Sequence, residues 1–230
     1  MLKGRPHIEP RRRADADSVV VKEIYVSLQG ESSHQGVLCT FVRLTGCHLR
    51  CTYCDSAFAF RGGDRMAVPA VLERVRALGA RTVEVTGGEP LLQPGVYPLM
   101  EALLEDGRTV LLETSGAIDV RLVPRGVHKI VDLKTPSSGE SDRNDLRVLE
   151  SMGEGDELKF VIGSREDYEW SKRMIAGHRL RERPYGLLFS TVFGALEPRQ
   201  LAEWVIADRL EVRFQLQQHK VLWAPDARGV

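Results

Sequence analysis

The sequence predicts an α/β fold organised around a mostly parallel sheet. From Val19 onward, strand-like and helix-like segments alternate along the chain. Such alternation is typical of βα units, whose right-handed crossovers produce either a barrel or a doubly wound sheet. No Gly-rich dinucleotide fingerprint follows the first strand, which argues against a Rossmann-type doubly wound sheet.

Each predicted element follows from apolar spacing and from the turn residues that end it. Short β-branched or aliphatic runs that stop at Gly, Ser or Thr predict strands. These strands are predicted at 37–44, 82–86, 109–113, 129–133, 158–162, 187–190 and 212–216. Apolar residues at helical spacing, such as Val68, Val71, Val75 and Leu78, predict helices. The helices are predicted at 68–78, 96–105, 166–176 and 201–207.

Composition and charge narrow the classes of function. Lys plus Arg equals Asp plus Glu at 32 each, so no electrostatic bias favours nucleic acid or an anionic membrane. No apolar run approaches the roughly 20 residues of a membrane span, and the first residues contain no apolar signal core. We therefore expect a cytoplasmic protein with a small-molecule partner.

The sequence also predicts the domain organisation. We expect a flexible Arg-rich tail at 1–18, one domain at 19–230, and a lid or surface loop at 137–141.

The four cysteines lie in one short segment, which indicates a metal or cluster site instead of a disulfide framework. Cys47, Cys51 and Cys54 are spaced so that one loop could wrap a cubane. Three thiolates leave one of four irons without a protein ligand, so that iron could chelate a small ligand. Zinc sites and electron-transfer clusters ordinarily use four ligands. Cys39 lies in a predicted strand and is expected to be buried, and His48 lacks the second ligand pair of a zinc site.

Two motifs resemble those of the radical S-adenosylmethionine superfamily. The first is Cys-x3-Cys-x2-Cys with the aromatic Tyr53 before the last cysteine, and the second is the Thr-Gly-Gly-Glu-Pro segment at 86–90. In that superfamily the glycines let the backbone approach the methionine end of S-adenosylmethionine. Glycine permits such an approach because it has no Cβ.

Further segments resemble the 7-carboxy-7-deazaguanine synthase family over residues 22–223. The matching segments lie at 27–31, 41–47, 54–56, 132–139 and 217–220. The resemblance implies an abbreviated β/α barrel that converts 6-carboxy-5,6,7,8-tetrahydropterin to 7-carboxy-7-deazaguanine with loss of ammonia, in queuosine biosynthesis. It also implies a 4Fe–4S cluster, S-adenosylmethionine, Mg²⁺, a flavodoxin- or ferredoxin-type reductant and a homodimer.

The same resemblance implies roles for individual residues. The cluster ligands would be Cys47, Cys51 and Cys54, and Ser56 would bind Mg²⁺ where many members have Thr. The residues implied for the pterin are Leu28, Gln29, Gly30, Arg43 and Thr86. The residues implied for S-adenosylmethionine are Tyr53, Cys54, Asp55, Gly88, Asp132, Leu133, Lys134 and Ser190.

This sequence departs from the family pattern at two places. Ser32, Ser33 and His34 follow Glu31, where many members continue with Gly. Asp132 and Leu133 precede Lys134, where many members have Ser-Pro.

The chemistry of the predicted strand ends agrees with a site at one edge of the sheet, since β/α barrels carry their active sites at the carboxyl ends of the strands. The residues at these ends are Cys47, Gly88, Thr114, Ser115, Lys134 and Ser190. Arg43 interrupts an apolar strand, where an unpaired charge is costly, so an anionic or carbonyl-bearing ligand is expected beside it. His219 and Lys220 are expected to end the last strand.

Other functions fit parts of this pattern. A glycyl-radical-enzyme activase has the same cysteine spacing, but it acts on a protein and would lack a pterin pocket at Gln29 and Arg43. A cluster-binding electron carrier would take up the cluster without cleaving S-adenosylmethionine. A zinc-binding interaction module would show neither property.

Overall fold

The computed structural model describes residues 7–10, 16–225 and 227–230. Its strands are β1 (Ser18–Leu28), β2 (Leu38–Leu44), β3 (Asp64–Ala67), β4 (Thr82–Gly87), β5 (Thr109–Thr114), β6 (Val127–Asp132), β7 (Glu157–Ile162), β8 (Gly186–Thr191) and β9 (Arg213–Phe214). Its α-helices are α1 (Val68–Leu78), α2 (Val96–Glu105), α3 (Val148–Ser151), α4 (Arg165–Gly177), α5 (Pro198–Ala207) and α6 (His219–Leu222).

These strands form one open sheet in the order β3-β1-β2-β4-β5-β6-β7-β8-β9. Pairing is parallel from β2 through β9, whereas β1 runs antiparallel to both β2 and β3. The segment between β5 and β6, residues 115–126, contains no α-helix. A sheet that does not close and a crossover without a helix confirm the expected partial β/α barrel.

The main core lies between the sheet and the long helices. Val71 and Val75 of α1 and Leu99 and Leu103 of α2 are fully buried against it. Burying an aliphatic side chain of this kind stabilises the fold by about 1.5–3 kcal/mol. Every residue of β7 is buried, because one face of the strand meets this core and the other faces the concave side of the sheet.

The loop between β1 and β2, residues 29–37, crosses the concave side of the sheet, and we call it the bridging loop. Gln29 Nε2 donates a hydrogen bond to Glu84 of β4, and Glu31 forms a 2.9 Å ion pair with Lys159 of β7. Strands β4 and β7 are separated by two strands in the sheet. Since one short loop reaches both, the sheet must be strongly curved, and the loop fills its interior.

The predicted tail at 1–18 lies partly outside the described residues, which omit 1–6 and 11–15. Within it, Glu9 forms ion pairs with Arg121 at 2.7 Å and Arg147 at 2.8 Å, and β1 begins at Ser18. The single domain at 19–230 stays a prediction, which the continuous sheet supports. In the described ranges, no helix is long and apolar enough to cross a membrane.

Candidate active site

Two adjoining cavities open at the carboxyl ends of the parallel strands and extend into the curved interior. The larger, of about 350 Å³, contains the three clustered cysteines, and we call it the cysteine cavity. The smaller, of about 130 Å³, is the Arg43 cavity. Both are lined by Glu31, Asp55, Ser56, Thr86, Glu113, Lys220 and Pro225. A ligand in one cavity would therefore lie directly beside a ligand in the other.

The cysteine loop is fastened to the segment predicted as a lid. The Thr52 amide donates to the Ser138 carbonyl at 3.0 Å, and the Thr52 hydroxyl donates to the Ser137 carbonyl at 2.6 Å. The Arg50 amide donates to Glu140 at 2.6 Å. These hydrogen bonds hold residues 137–141 against the cysteine loop, and a lid or surface loop at 137–141 stays a prediction.

The three thiols share an environment with little positive charge. Burial raises the pKa of Cys47, Cys51 and Cys54, to about 11 for Cys51, although Lys134 works in the opposite direction. Another thiol of the group also raises the pKa of Cys47 and of Cys51, and all three cysteines line the same cavity. Cys39, near the other end of β2, is completely buried as predicted, and burial raises its thiol pKa as well.

The donor set fits a cluster better than a single ion. Among the described residues, no three His, Cys, Asp or Glu side chains are arranged to hold one metal ion. Three thiols around a cavity of about 350 Å³ match a cubane that keeps one iron free for a small ligand. Asp132 also lines this cavity, and its Oδ1 is buried with no hydrogen-bond partner in the described chain. That oxygen is suited to accept from a ligand ammonium group.

The Gly-Gly-Glu-Pro segment holds the ends of neighbouring strands together. A Cβ on Gly87 would collide with the Leu44 carbonyl, and a Cβ on Gly88 would collide with the Gly46 carbonyl beside Cys47. The glycines therefore allow close packing against the cysteine loop, in addition to any approach to a cofactor. Glu89 is fully buried and accepts three hydrogen bonds at 2.8–3.0 Å, from Leu91 N, Thr114 Oγ1 and Ser115 N.

The residues expected around S-adenosylmethionine do not all reach the cysteine cavity. Its lining includes Tyr53, Cys54, Asp55, Gly88, Asp132 and Lys134. Burial opposes the charge of Lys134, but Asp132 at 3.0 Å raises the Lys134 pKa. Leu133 lies in the hydrophobic core, and Ser190 is completely buried and lines neither cavity. Ser190 pairs with Val161, which does line the cysteine cavity, and its Oγ has no hydrogen-bond partner in the described chain. A contact between Ser190 and S-adenosylmethionine therefore stays a prediction.

All five residues expected to contact the pterin line the Arg43 cavity: Leu28, Gln29, Gly30, Arg43 and Thr86. A Cβ on Gly30 would collide with the His219 ring, so this position needs glycine for α6 to approach. His219 and Lys220 begin α6 and do not end a strand, which corrects that prediction. The short β9 ends at Phe214, and the chain then turns toward the bridging loop, where Gln218 N donates to Gly30 O at 2.9 Å.

Arg43 has protein partners, contrary to the expectation of an unpaired charge. Its Nε donates to Glu23 at 2.8 Å, and its Nη2 donates to the Tyr25 hydroxyl at 3.1 Å. Glu23 and Tyr25 lie on β1, whose antiparallel pairing with β2 was not predicted. Arg43 Nη1 is 3.5 Å from Ser56 Oγ, so one edge of the guanidinium still faces the shared wall of the cavities.

Ser56 and Asp55 form a small polar group on that shared wall. Ser56 Oγ donates to Asp55 at 3.0 Å, and Lys220 forms a 2.8 Å ion pair with the other Asp55 oxygen. Partial desolvation raises the Asp55 pKa, but Lys220 and the hydrogen bonds outweigh it and lower that pKa to about 2. Asp55 is therefore ionised at neutral pH, and a carboxylate and a hydroxyl oxygen lie side by side.

Sequence reasoning missed a buried network of charges inside the strands. Lys159 of β7 bonds to Glu31 and to Glu113 of β5, and Thr86 Oγ1 donates to Glu113 at 3.2 Å. Burial and the nearby Glu113 raise the pKa of Glu84 well above its usual range, which favours the neutral form of this carboxyl. The available signal was the presence of one or two charged residues within each otherwise apolar strand, because such a charge needs a partner when it is buried.

This fold and site define a class of protein, the radical S-adenosylmethionine enzymes. Residues 41–135 match the family model for the Radical SAM superfamily, and that range spans the three cysteines and the Gly-Gly-Glu-Pro segment. The crystal structure of QueE from Escherichia coli superposes with a TM-score of 0.74, covering 88% of this chain and 95% of that one at 24% identity. That likeness establishes the shared fold.

The particular family follows from closer relatives. The 7-carboxy-7-deazaguanine synthase of Chlorobaculum tepidum is 48% identical over 213 residues, covering 91% of this chain and 96% of that protein. The synthase of Koribacter versatilis is 43% identical, covering 91% of this chain and 99% of its own length. The chain belongs to the 7-carboxy-7-deazaguanine synthase family, whose cofactors are a 4Fe–4S cluster, S-adenosylmethionine and Mg²⁺.

Proposed function

We propose that the chain converts 6-carboxy-5,6,7,8-tetrahydropterin to 7-carboxy-7-deazaguanine with loss of ammonia, using the two cavities for two ligands. The observation that carries this proposal is the shared wall. Thr86, one of the five expected pterin residues, lines both the Arg43 cavity and the cavity that contains the three cysteines. A radical generated in the cysteine cavity would need only a short path to a substrate in the Arg43 cavity.

The lining of the Arg43 cavity suits a pterin. Its lining includes the carboxyl groups of Glu31, Glu84 and Glu113, which supply hydrogen-bond acceptors for the N–H groups of an aminopyrimidine ring. Tyr25 and Phe41 line it with stacked rings whose centroids are 5.1 Å apart. A flat, N–H-rich ring therefore finds both acceptors and apolar faces here.

In the cysteine cavity, Cys47, Cys51 and Cys54 would hold the cluster. The cluster and S-adenosylmethionine together supply a 5′-deoxyadenosyl radical. Asp132 would accept from the ammonium group of S-adenosylmethionine through its unpartnered oxygen, while Lys134 forms a 3.0 Å ion pair with the other oxygen of Asp132. Tyr53, Gly88 and Asp55 line the remaining approach to this ligand.

Ser56 would hold Mg²⁺ on the shared wall. Magnesium prefers oxygen ligands and usually keeps several waters, so one hydroxyl and a substrate carboxylate form a reasonable share of its shell. Arg43 faces the same wall and would balance the substrate carboxylate. The ion and Arg43 would together orient the pterin toward the cysteine cavity.

Several broader features extend this proposal. We place the protein in the cytoplasm, where its four free cysteines would stay reduced. A flavodoxin- or ferredoxin-type protein would supply the electron, and two copies of the chain would form a homodimer, as the family resemblance implies. No nucleic acid or membrane partner is proposed, since the net charge is zero.

Anaerobic turnover tests the proposal. The reconstituted protein is incubated with 6-carboxytetrahydropterin, S-adenosylmethionine, Mg²⁺ and a reductant, and the products are followed by mass. We expect 7-carboxy-7-deazaguanine and one ammonia for each product molecule. Cleavage of S-adenosylmethionine without any change in the pterin would favour a glycyl-radical-enzyme activase, and a cluster that cleaves nothing would favour an electron carrier.

A further inference from the structure

The segment after α6 covers the outer side of the Arg43 cavity. Ala227, Arg228, Gly229 and Val230 all line that cavity, together with Ala224 and Pro225. The start of α6 is fastened to the body, because Gln218 N bonds to Gly30 O and Lys220 pairs with Asp55. Residues 227–229 are exposed, so this part of the segment has few contacts that would prevent it from moving.

Arg228 makes one specific contact in the described chain. Its guanidinium lies over the Phe58 ring, 4.3 Å from the centroid. Arg43 lies 5.6 Å from the same centroid, so two guanidinium groups share one aromatic ring at the cavity wall. Phe58 follows Ser56 by two residues and lines the same cavity.

The other cations of the Arg43 cavity already have carboxylate partners. Arg43 pairs with Glu23 and Lys220 pairs with Asp55, each at 2.8 Å. Arg228 has no carboxylate partner among the described residues. A guanidinium can stack on a ring through its face while its N–H edge stays free to bind a carboxylate with two hydrogen bonds. Phe58 would therefore orient Arg228 without using its donors.

We propose that Arg228 is a substrate-specificity residue that binds the carboxylate of the pterin and closes residues 227–230 over the Arg43 cavity. The proposal rests on the proposed function for the identity of the ligand. S-adenosylmethionine also carries a carboxylate, but Arg228 does not line the cysteine cavity. We therefore assign Arg228 to the pterin carboxylate, which it would contact in addition to Mg²⁺ and Arg43.

Equilibrium binding to the anaerobic holoenzyme tests this role, with Mg²⁺ and S-adenosylmethionine present and no reductant, so that no turnover occurs. The probes are 6-carboxytetrahydropterin and a tetrahydropterin that lacks the 6-carboxylate. Arg228→Gln should weaken binding of the carboxylated pterin about 10-fold, as expected for the loss of a charge-assisted hydrogen bond. Binding of the uncharged pterin should not change.

Three further variants separate a specific contact from a general disturbance. Arg228→Lys keeps the charge and should lose less affinity than Arg228→Gln, since a lysine cannot bind bidentately. In a Phe58→Leu background the Arg228→Gln effect should shrink, because the stacking that orients the guanidinium is gone. Arg199→Gln, at an exposed arginine of α5, is the matched control and should change neither affinity.

Equal weakening of both pterins, or an unchanged affinity for the carboxylated pterin in Arg228→Gln, would overturn the role of Arg228 while leaving the proposed function intact. A loss of S-adenosylmethionine affinity instead would overturn the choice of ligand. Failure of the unmodified protein to bind 6-carboxytetrahydropterin at all would overturn the proposed function, and this inference with it.

Discussion

Cys39 and Cys47 lie near opposite ends of β2, and this separates a structural cysteine from a ligand. Cys39 is completely buried opposite Thr82 of β4, whereas Cys47 lies beyond the carboxyl end of the strand in the cysteine cavity. The Cys39 thiol is therefore not positioned to bind a cluster in the cysteine cavity. The same strand therefore fixes both roles.

Substitution of the cysteines should divide them into these two groups. Cys47→Ala, Cys51→Ala and Cys54→Ala should each abolish turnover and lower the iron content after reconstitution, because each removes one of three ligands. Cys39→Ala should keep full iron content and turnover within a few fold. Iron content in Cys39→Ala as low as in the other three variants would contradict this division.

Ser56 offers the side-chain hydroxyl that we expect to bind Mg²⁺. Ser56→Ala should lower turnover and abolish its stimulation by Mg²⁺, while cleavage of S-adenosylmethionine without pterin continues, since the cysteine cavity keeps its ligands. Asp55 is the adjacent rival, and Asp55→Asn is the matched comparison. Mg²⁺ stimulation that survives in Ser56→Ala and disappears in Asp55→Asn would reverse the two roles.

The buried carboxyl of Glu84 should make the folded protein less stable as the pH rises. Its pKa is raised well above the usual 4.5 in the folded protein, so its contribution to stability is complete below about pH 4.5 and is lost as pH rises through the folded-state pKa. Glu84→Gln can keep the bond to Gln29 without carrying a charge. Its thermal midpoint should therefore rise relative to the unmodified protein between pH 5.5 and 8.

Anaerobic thermal unfolding at several pH values measures this difference. The control is Glu203→Gln, at an exposed carboxylate of α5, whose midpoint relative to the unmodified protein should change little with pH. A difference for Glu84→Gln that stays constant across the range would show that the carboxyl is not protonated in the folded protein.

At the scale of elements, the bridging loop contains a strained residue. Ser32 is 1% exposed and has φ +65°, a left-handed conformation that L residues other than Asn and Asp rarely adopt. Its hydroxyl accepts a hydrogen bond from His34 N at 3.1 Å, which partly offsets the cost.

Two substitutions at Ser32 separate strain from hydrogen bonding. Both lose the hydroxyl, but Ser32→Gly also relieves the left-handed strain, so it should be more stable than Ser32→Ala by about 1 kcal/mol. In a chain of this size that corresponds to about 2–4 °C in the thermal midpoint. At Ser33, whose φ is not positive, Gly should have no such advantage over Ala. Equal thermal midpoints for Ser32→Gly and Ser32→Ala would contradict the claim that Ser32 is strained in the folded protein.

The sequence predicts the parallel strands well and the antiparallel ones poorly. Strands β4 to β8 have apolar, β-branched runs with clear stops, since both faces are buried. β3 is mostly exposed and short, so its strand character comes from pairing with β1 and not from its own pattern. α6 was read as a strand end because four residues are too few to show helical spacing.

At the scale of the whole molecule, the partial barrel provides two adjoining cavities that, in the proposed function, hold the cofactor and the substrate separately. The cysteine cavity and the Arg43 cavity meet along one wall, to which Glu31 and Glu113 contribute, and both carboxylates pair with Lys159. Sequence motifs predicted most residues that line the two cavities. They could not predict the hydrogen-bond and ion-pair partners of these residues, because the curvature of the sheet decides which side chains meet. Arg43 is the clearest case, since its partner Glu23 comes from the antiparallel β1.

Deuterium transfer tests the central claim most directly, namely that the radical made in the cysteine cavity attacks a pterin in the neighbouring one. The anaerobic enzyme is given 6-carboxytetrahydropterin deuterated on its reduced ring carbons, and 5′-deoxyadenosine and S-adenosylmethionine are analysed by mass. We predict that deuterium appears in the 5′-deoxyadenosyl group, while Cys51→Ala shows none. Cleavage of S-adenosylmethionine that leaves this group free of deuterium while the pterin is present would contradict the account.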